Sequence, residues 1–185
     1  MVKVFYCDIS KQLNIDELVN KLPVNRKAFV DSVSNEKRKK QSVLVWLLLE
    51  YALEELFGNK NYEFQQNEDG SWGVLDENVY ISLSHSDNIV AVAVGDINCG
   101  VDVEKIQEKI LKLKDKLCNK YGVNFDSVDD LTLAWTKMES LFKAKVGENY
   151  SYKKIFDAEL NGYYSTVCSD ENSVEFQKVE INNII

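Results

Sequence analysis

Residues 32–58, SVSNEKRKKQSVLVWLLLEYALEELFG, constrain the fold more than any other stretch. N-cap residue types lie at positions 32–35, strong helix formers follow, and Gly58 supplies a stop, so the pattern predicts one long helix. Its middle, residues 43–49, is apolar nearly all round, and such a helix has to be covered on most sides. A central helix lying against a sheet is the expectation. The basic run Lys37, Arg38, Lys39 and Lys40 sits in its first turns. Cations gain nothing from the positive end of a helix dipole, so they serve an anion site more naturally; a solubilising surface turn is the alternative.

The sheet is best marked at residues 79–104, VYISLSHSDNIVAVAVGDINCGVDVE. Residues 80–84 and 89–94 are rich in β-branched and apolar types and are separated by the turn composition Ser86-Asp87-Asn88, which predicts a hairpin. Gly95-Asp96 turns the chain again, and residues 100–104 are expected as a third strand of an up-down-up meander. That places His85, the only histidine, and Glu104 at one edge of one sheet. Asp102 and Glu104 are two apart and share a face. Two carboxylates held together repel unless a cation sits between them, and a hard divalent ion such as magnesium suits oxygen ligands. The alternative is the solvated face of a hairpin.

With 185 residues the chain can form one larger domain or two small halves, and 45 % hydrophobic with 28 % charged residues is ordinary for a globular protein. A formal charge of -8 argues against a general nucleic-acid binder, although basic clusters at positions 37–40 and 105–120 leave local attraction for anions. Cys7, Cys99, Cys118 and Cys168 form no CxxC pair, so reduced, mostly buried thiols are expected. The N-terminus alternates like a strand and lacks the apolar core of a signal peptide, and no apolar run approaches the ~20 residues needed to span a bilayer. The expectation is a cytoplasmic protein.

A short helix at residues 15–19 should end before Pro23, the only proline. Residues 105–122 carry Ile106, Ile110, Leu113 and Leu117 at helical spacing, with a lysine face of Lys109, Lys112, Lys116 and Lys120 that is either solvated or open to an acidic partner. Asp129-Asp130 are expected to cap a second long helix whose apolar arc is Leu131, Ala134, Trp135, Met138, Leu141 and Phe142. Glu139 and Lys143, four apart, lie together at its border, as a surface pair or as part of a site where the helix meets a sheet. Strands are expected at residues 150–157, 162–168 and 174–181. Helix followed by strands in each half makes α+β with two similar small halves the economical architecture.

Four motifs then carry a resemblance. Residues 81–86, ISLSHS, are similar to an aromatic-Asn-x-Ser-His-Ser motif, and residues 100–104, GVDVE, to Gly-Ile-Asp-Ile-Glu. Residues 135–143, WTKMESLFK, follow Trp-x-x-Lys-Glu-x-x-x-Lys, and residues 34–40, SNEKRKK, follow Ser-Pro-Glu-Lys-Arg-x-Lys. In this order the chain resembles the 4'-phosphopantetheinyl transferases, specifically the surfactin-type branch in which two related halves are fused.

The resemblance implies two small α/β halves in a pseudo-two-fold arrangement, residues 1–97 and 98–185, in a monomer. It implies magnesium-dependent transfer of the 4'-phosphopantetheine arm of coenzyme A to a serine of an acyl or peptidyl carrier protein. By the same resemblance Asp102, Glu104 and Glu139 hold the metal, Glu139 is a candidate base, and Lys143, His85 and Ser84 meet the pyrophosphate. Lys37 and Lys40 are implied at the 3'-phosphate. The chain departs from the pattern at Met138, where the family has a lysine, at Ser71-Trp72, where it has Lys-Pro, and at Ser82, which replaces asparagine. The first-half basic helix is about ten residues shorter. A catalytically degenerate coenzyme A or nucleotide-binding protein, and a structural protein that holds acidic partners, are the competing readings.

Overall fold

The computed structural model describes residues 1–76, 78–122, 124–145 and 154–185. Strand β1 (Val2–Asp8) leads through short helices α1 (Ile15–Val19) and α2 (Val24–Asp31) into α3 (Glu36–Phe57). The Asn35 side chain caps α3 by accepting from the Arg38 N–H, and Gly58 ends it in the left-handed region at φ 66. A two-stranded hairpin, β2 (Phe64–Gln66) and β3 (Trp72–Val74), precedes β4 (Tyr80–Ser86) and β5 (Ile89–Gly95). The predicted hairpin forms, with the turn at Asp87-Asn88 and Asp87 at φ 49.

The first sheet has the order β4-β5-β1-β9, where β9 is Glu175–Lys178. One face, carrying Phe5, Val90, Val92 and Val94, packs on α3, whose Val43, Trp46 and Leu49 are wholly buried. The expected burial of this helix is therefore met by a sheet face together with α1, α2 and the chain's C-terminal residues Val179 and Ile184.

The meander does not extend to a third strand. β1 takes the second edge of β5, so β6 (Cys99–Lys105) finds no partner there and instead forms the edge of a second sheet, order β6-β8-β7. Here β7 is Lys154–Glu159 and β8 is Tyr163–Ser169; residues 150–153 of the expected strand lie outside the described residues. Val101 and Val103 pack with Val4, Ala91 and Ala93 in a core between the two sheets. β6 nevertheless runs beside β4 in the same direction. Ser82, Ser84 and Ser86 share one face of β4, and their hydroxyls accept from the N–H groups of Val101, Val103 and Lys105 at 2.9, 3.2 and 3.2 Å. Serine side chains thus cap the donors that β6 would otherwise leave open at its edge.

After β6 a 3-10 segment (Glu108–Leu113) and α4 (Lys114–Tyr121) replace the single amphipathic helix, and Gly122 caps α4 at φ 66. α5 (Val128–Lys143) is capped by Ser127, which accepts from the Asp130 N–H at 3.0 Å; Asp129 and Asp130 lie in its first turn, not at the cap. Leu131 and Met138 pack with Ile110 and Leu117, but Phe142 leaves the expected arc and is 70 % exposed, because the helix end overhangs the rim of a cleft. β9 (Glu175–Lys178) returns to the first sheet, parallel to β1, so the C-terminal tail packs with the N-terminal strand. Among the described residues no helix is long and apolar enough to cross a membrane.

Candidate functional site

The position of α5 over β6 starts from a glycine. A Cβ on Gly100 would lie 2.2 Å from the Ser140 carbonyl oxygen and 2.3 Å from the Ala144 nitrogen, so helix backbone rests directly on the strand there. Asp102 and Glu104, on the same face as Gly100, consequently look toward the helix that carries Glu139 and Lys143.

A cleft of about 890 Å³ opens beside this contact, with Ser84, His85, Asp102, Glu139 and Lys143 among its lining. Asp102 is 4 % exposed, and one of its oxygens accepts from Lys143 Nζ at 2.7 Å and from Ser84 Oγ at 2.8 Å. Lys143 Nζ also reaches Ser84 Oγ at 3.0 Å. The other oxygen, Oδ2, is buried without a hydrogen-bond partner. Glu104 accepts from Ser86 Oγ at 2.7 Å and does not line the cleft. Burial, reinforced by the charge of Asp102, raises the proton affinity of both Glu104 and Glu139.

His85 lies on the other face of β4, with Ile81 and Leu83, and not with the carboxylates. The strands carrying His85 and Glu104 finish side by side but belong to two different sheets, and His85, adjacent to Ser84 and Ser86, points to the opposite face of β4 from their hydroxyls. β4 is the edge strand, so both of its faces still reach the cleft. Burial first, then the nearby positive charges of Lys143, Arg38 and Arg26, lower the His85 pKa to about 4, which leaves its imidazole neutral near pH 7.

Lys37 and Lys40 are not brought into the cleft. Lys37 is ion-paired with Asp87, which also binds Lys105, while Lys40 Nζ donates to the Lys11 carbonyl at 2.8 Å. Met138 is 8 % exposed in an apolar cluster with Ile110, Leu117 and Leu131, so its position faces a core and not the cleft. Ser71 and Trp72 do line the cleft.

One lining residue escapes sequence reasoning. Arg26 is 3 % exposed, donates from Nη2 to the Ser42 carbonyl at 2.9 Å, and sits 4.7, 4.9 and 5.3 Å from the ring centres of Phe29, Trp46 and Trp72. The Phe29 contact is three residues along one helix and is the only local signal; both tryptophans come from distant segments.

In chemical terms the cleft holds a buried carboxylate with a free oxygen, a lysine able to hold a phosphate oxygen, a neutral imidazole and a glutamate of raised proton affinity. Hard oxygen donors and the orphaned Asp102 Oδ2 fit a divalent cation, although among the described residues no group of three His, Cys, Asp or Glu side chains already converges on one point. No family model matches the chain. It is 30 % identical over 128 residues to the 4'-phosphopantetheinyl transferase gsp of Aneurinibacillus migulanus, a match that covers 64 % of this chain and 53 % of that protein. The chain thus spans about half the length of the curated relative it matches, and within that span it is similar to a 4'-phosphopantetheinyl transferase.

Proposed function

We propose that the protein transfers the 4'-phosphopantetheine group of coenzyme A to a serine hydroxyl of an apo carrier protein. The observation that carries this reading is the convergence of Ser84, Asp102, Glu139 and Lys143 in one cleft, in a chain similar to a transferase of that name. In the reaction the carrier serine oxygen bonds to the phosphorus that bears the pantetheine arm. The bond from that phosphorus to the bridging pyrophosphate oxygen breaks, and adenosine 3',5'-bisphosphate leaves with the electron pair.

Glu139 takes the serine proton, a role favoured by the burial that strengthens it as a base. Lys143, a point charge held between Ser84 and Asp102, binds a non-bridging phosphate oxygen. His85, neutral, donates a ring N–H to the same group. Asp102 and Glu139, which line the cleft, would hold magnesium, with Glu104 beside Asp102 on β6 but outside the lining as the third candidate; when bound, the ion would neutralise charge on the pyrophosphate.

The test is to incubate the protein with apo carrier protein, coenzyme A and magnesium, and to weigh the carrier. The expected result is a gain of one phosphopantetheine per carrier, lost in Glu139→Ala by about 10²–10⁴-fold in rate. No gain across several acyl and peptidyl carriers would overturn transfer. A specific observation supports a second reading, a degenerate coenzyme A or nucleotide-binding protein: three carboxylates that do not converge on one point. That reading predicts binding of coenzyme A with no carrier modification.

A further inference from the structure

The hydroxyls of β4 repeat one arrangement twice. Ser84 Oγ accepts from the Val103 N–H at 3.2 Å and donates to Asp102 Oδ1 at 2.8 Å. Two residues on, Ser86 Oγ accepts from the Lys105 N–H at 3.2 Å and donates to Glu104 Oε2 at 2.7 Å. A hydroxyl has one hydrogen, and a serine that accepts from the backbone of β6 keeps that hydrogen for the carboxylate one residue back. Ser82 makes the same backbone contact, to Val101 at 2.9 Å, but the residue one back is Gly100, so this rung carries no carboxylate. Because β4 and β6 belong to different sheets, side-chain hydroxyls and not a backbone ladder fix how the two strands lie against each other. Asp102 shows what a rung does to its carboxylate: Oδ1 is engaged by Ser84 and Lys143, and Oδ2 is left without a partner.

We propose that Ser86 is a positioning residue for Glu104: its hydroxyl holds one carboxylate oxygen against β4, so that the other is presented to a divalent cation beside Asp102. The identity of that ion as magnesium rests on the transferase reading. A carboxylate that ligates a metal is commonly oriented by a hydrogen bond from a residue behind it, and losing that partner costs about 10–100-fold in metal affinity. Ser86 is buried, so solvent does not readily take the place of its hydroxyl. The strand itself has a second tie at this point, because Asp87 binds Lys105 Nζ. Removing the hydroxyl therefore frees the carboxylate while the end of β6 stays fastened to the β4–β5 turn. Ser84 does not allow the same separation, since it also meets Lys143.

Manganese(II), a spin-bearing stand-in for magnesium, titrated into the full chain and followed by electron paramagnetic resonance with magnesium as competitor, tests this without turnover. Ser86→Ala should weaken ion binding about 10-fold, and Ser86→Thr, which keeps the hydroxyl, should restore most of it. Ser86→Cys, with a weaker donor of similar size, should show part of the loss and is the variant to read if Ser86→Ala does not fold. Glu104→Gln should weaken binding at least as much as Ser86→Ala does. Adding Ser86→Ala to Glu104→Gln should then change nothing further, because the serine acts through the carboxylate. Unchanged or tighter binding in Ser86→Ala, no ion binding to the wild type, or the same loss from Ser86→Ala in both backgrounds overturns the proposal. A purely structural role lowers denaturant midpoints in both backgrounds and leaves ion affinity alone, which also overturns it. Carrier modification by the wild type without this coupling sinks the Ser86 assignment alone. Coupling without carrier modification sinks transfer alone.

Discussion

The two ends of the cleft are opposites. At one end Asp102 has a buried oxygen with no donor; at the other Arg26 has a buried N–H with no acceptor. The carboxylate end is built from adjacent parts of the second sheet and α5, with Lys143 already balancing one oxygen of Asp102. The arginine end is built from aromatic rings of three separate segments and has no balancing charge among the described residues. Unsatisfied groups of opposite sense in one cavity favour a ligand that brings a cation to one end and an anion to the other.

The sharpest way to break the contrast is to disturb one end only. Gly100→Ala places a methyl group into α5 backbone, so the helix and its Glu139 and Lys143 must shift. Transfer should fall about 10²-fold or more, since a displacement near 1 Å is sufficient for that, with about 1–3 kcal/mol lost in stability. Carrier modification and denaturant midpoints of the one variant check both statements.

His85 is under the positive fields of both ends, from Lys143 and from Arg26, and its depressed pKa converts into a pH dependence. The unfolded histidine binds a proton below its ordinary value of 6.5, whereas the folded one waits until about 4. The stabilising contribution is therefore complete above pH 6.5 and is lost as pH falls from there to about 4, by up to about 3 kcal/mol. His85→Gln should flatten that part of the stability curve in urea titrations. A slope unchanged in the variant would mean that another group titrates there.

The smallest effect is expected outside both ends. Asp87, in the β4–β5 turn, binds Lys37 and Lys105, and these bonds lower its pKa to about 2. Its contribution is present above the ordinary aspartate value of 3.8 and is lost as pH falls toward 2. Asp87→Asn should lower the melting temperature slightly, less so in high salt, with transfer nearly unchanged. A large loss of transfer would place Lys37 or this turn in the reaction after all.

Much of the frame is legible in local pattern. The long helix, the hairpin, the strand carrying Asp102 and Glu104, and the helix carrying Glu139 and Lys143 all follow from periodicity and end signals over stretches of 7 to 22 residues. Caps and breaks within them follow less well: the 3-10 segment at Glu108–Leu113 and the Ser127 cap depend on small local preferences that compete closely. Phe142 obeys helical spacing yet has no core to enter, because burial depends on where a helix ends relative to its neighbours.

Spacing by itself determined that Asp102 and Glu104 share a face and that Glu139 and Lys143 share another, because strand and helix repeats are set by backbone geometry. Only the tertiary structure decided that those two faces meet, through the absence of a side chain at Gly100. It also decided that β6 leaves the meander, because β1 reaches β5 across more than eighty residues and occupies its free edge. Arg26 belongs wholly to this second class. Its partners Trp46 and Trp72 are 20 and 46 residues away, and a contact between segments so separated leaves no period in the chain to read.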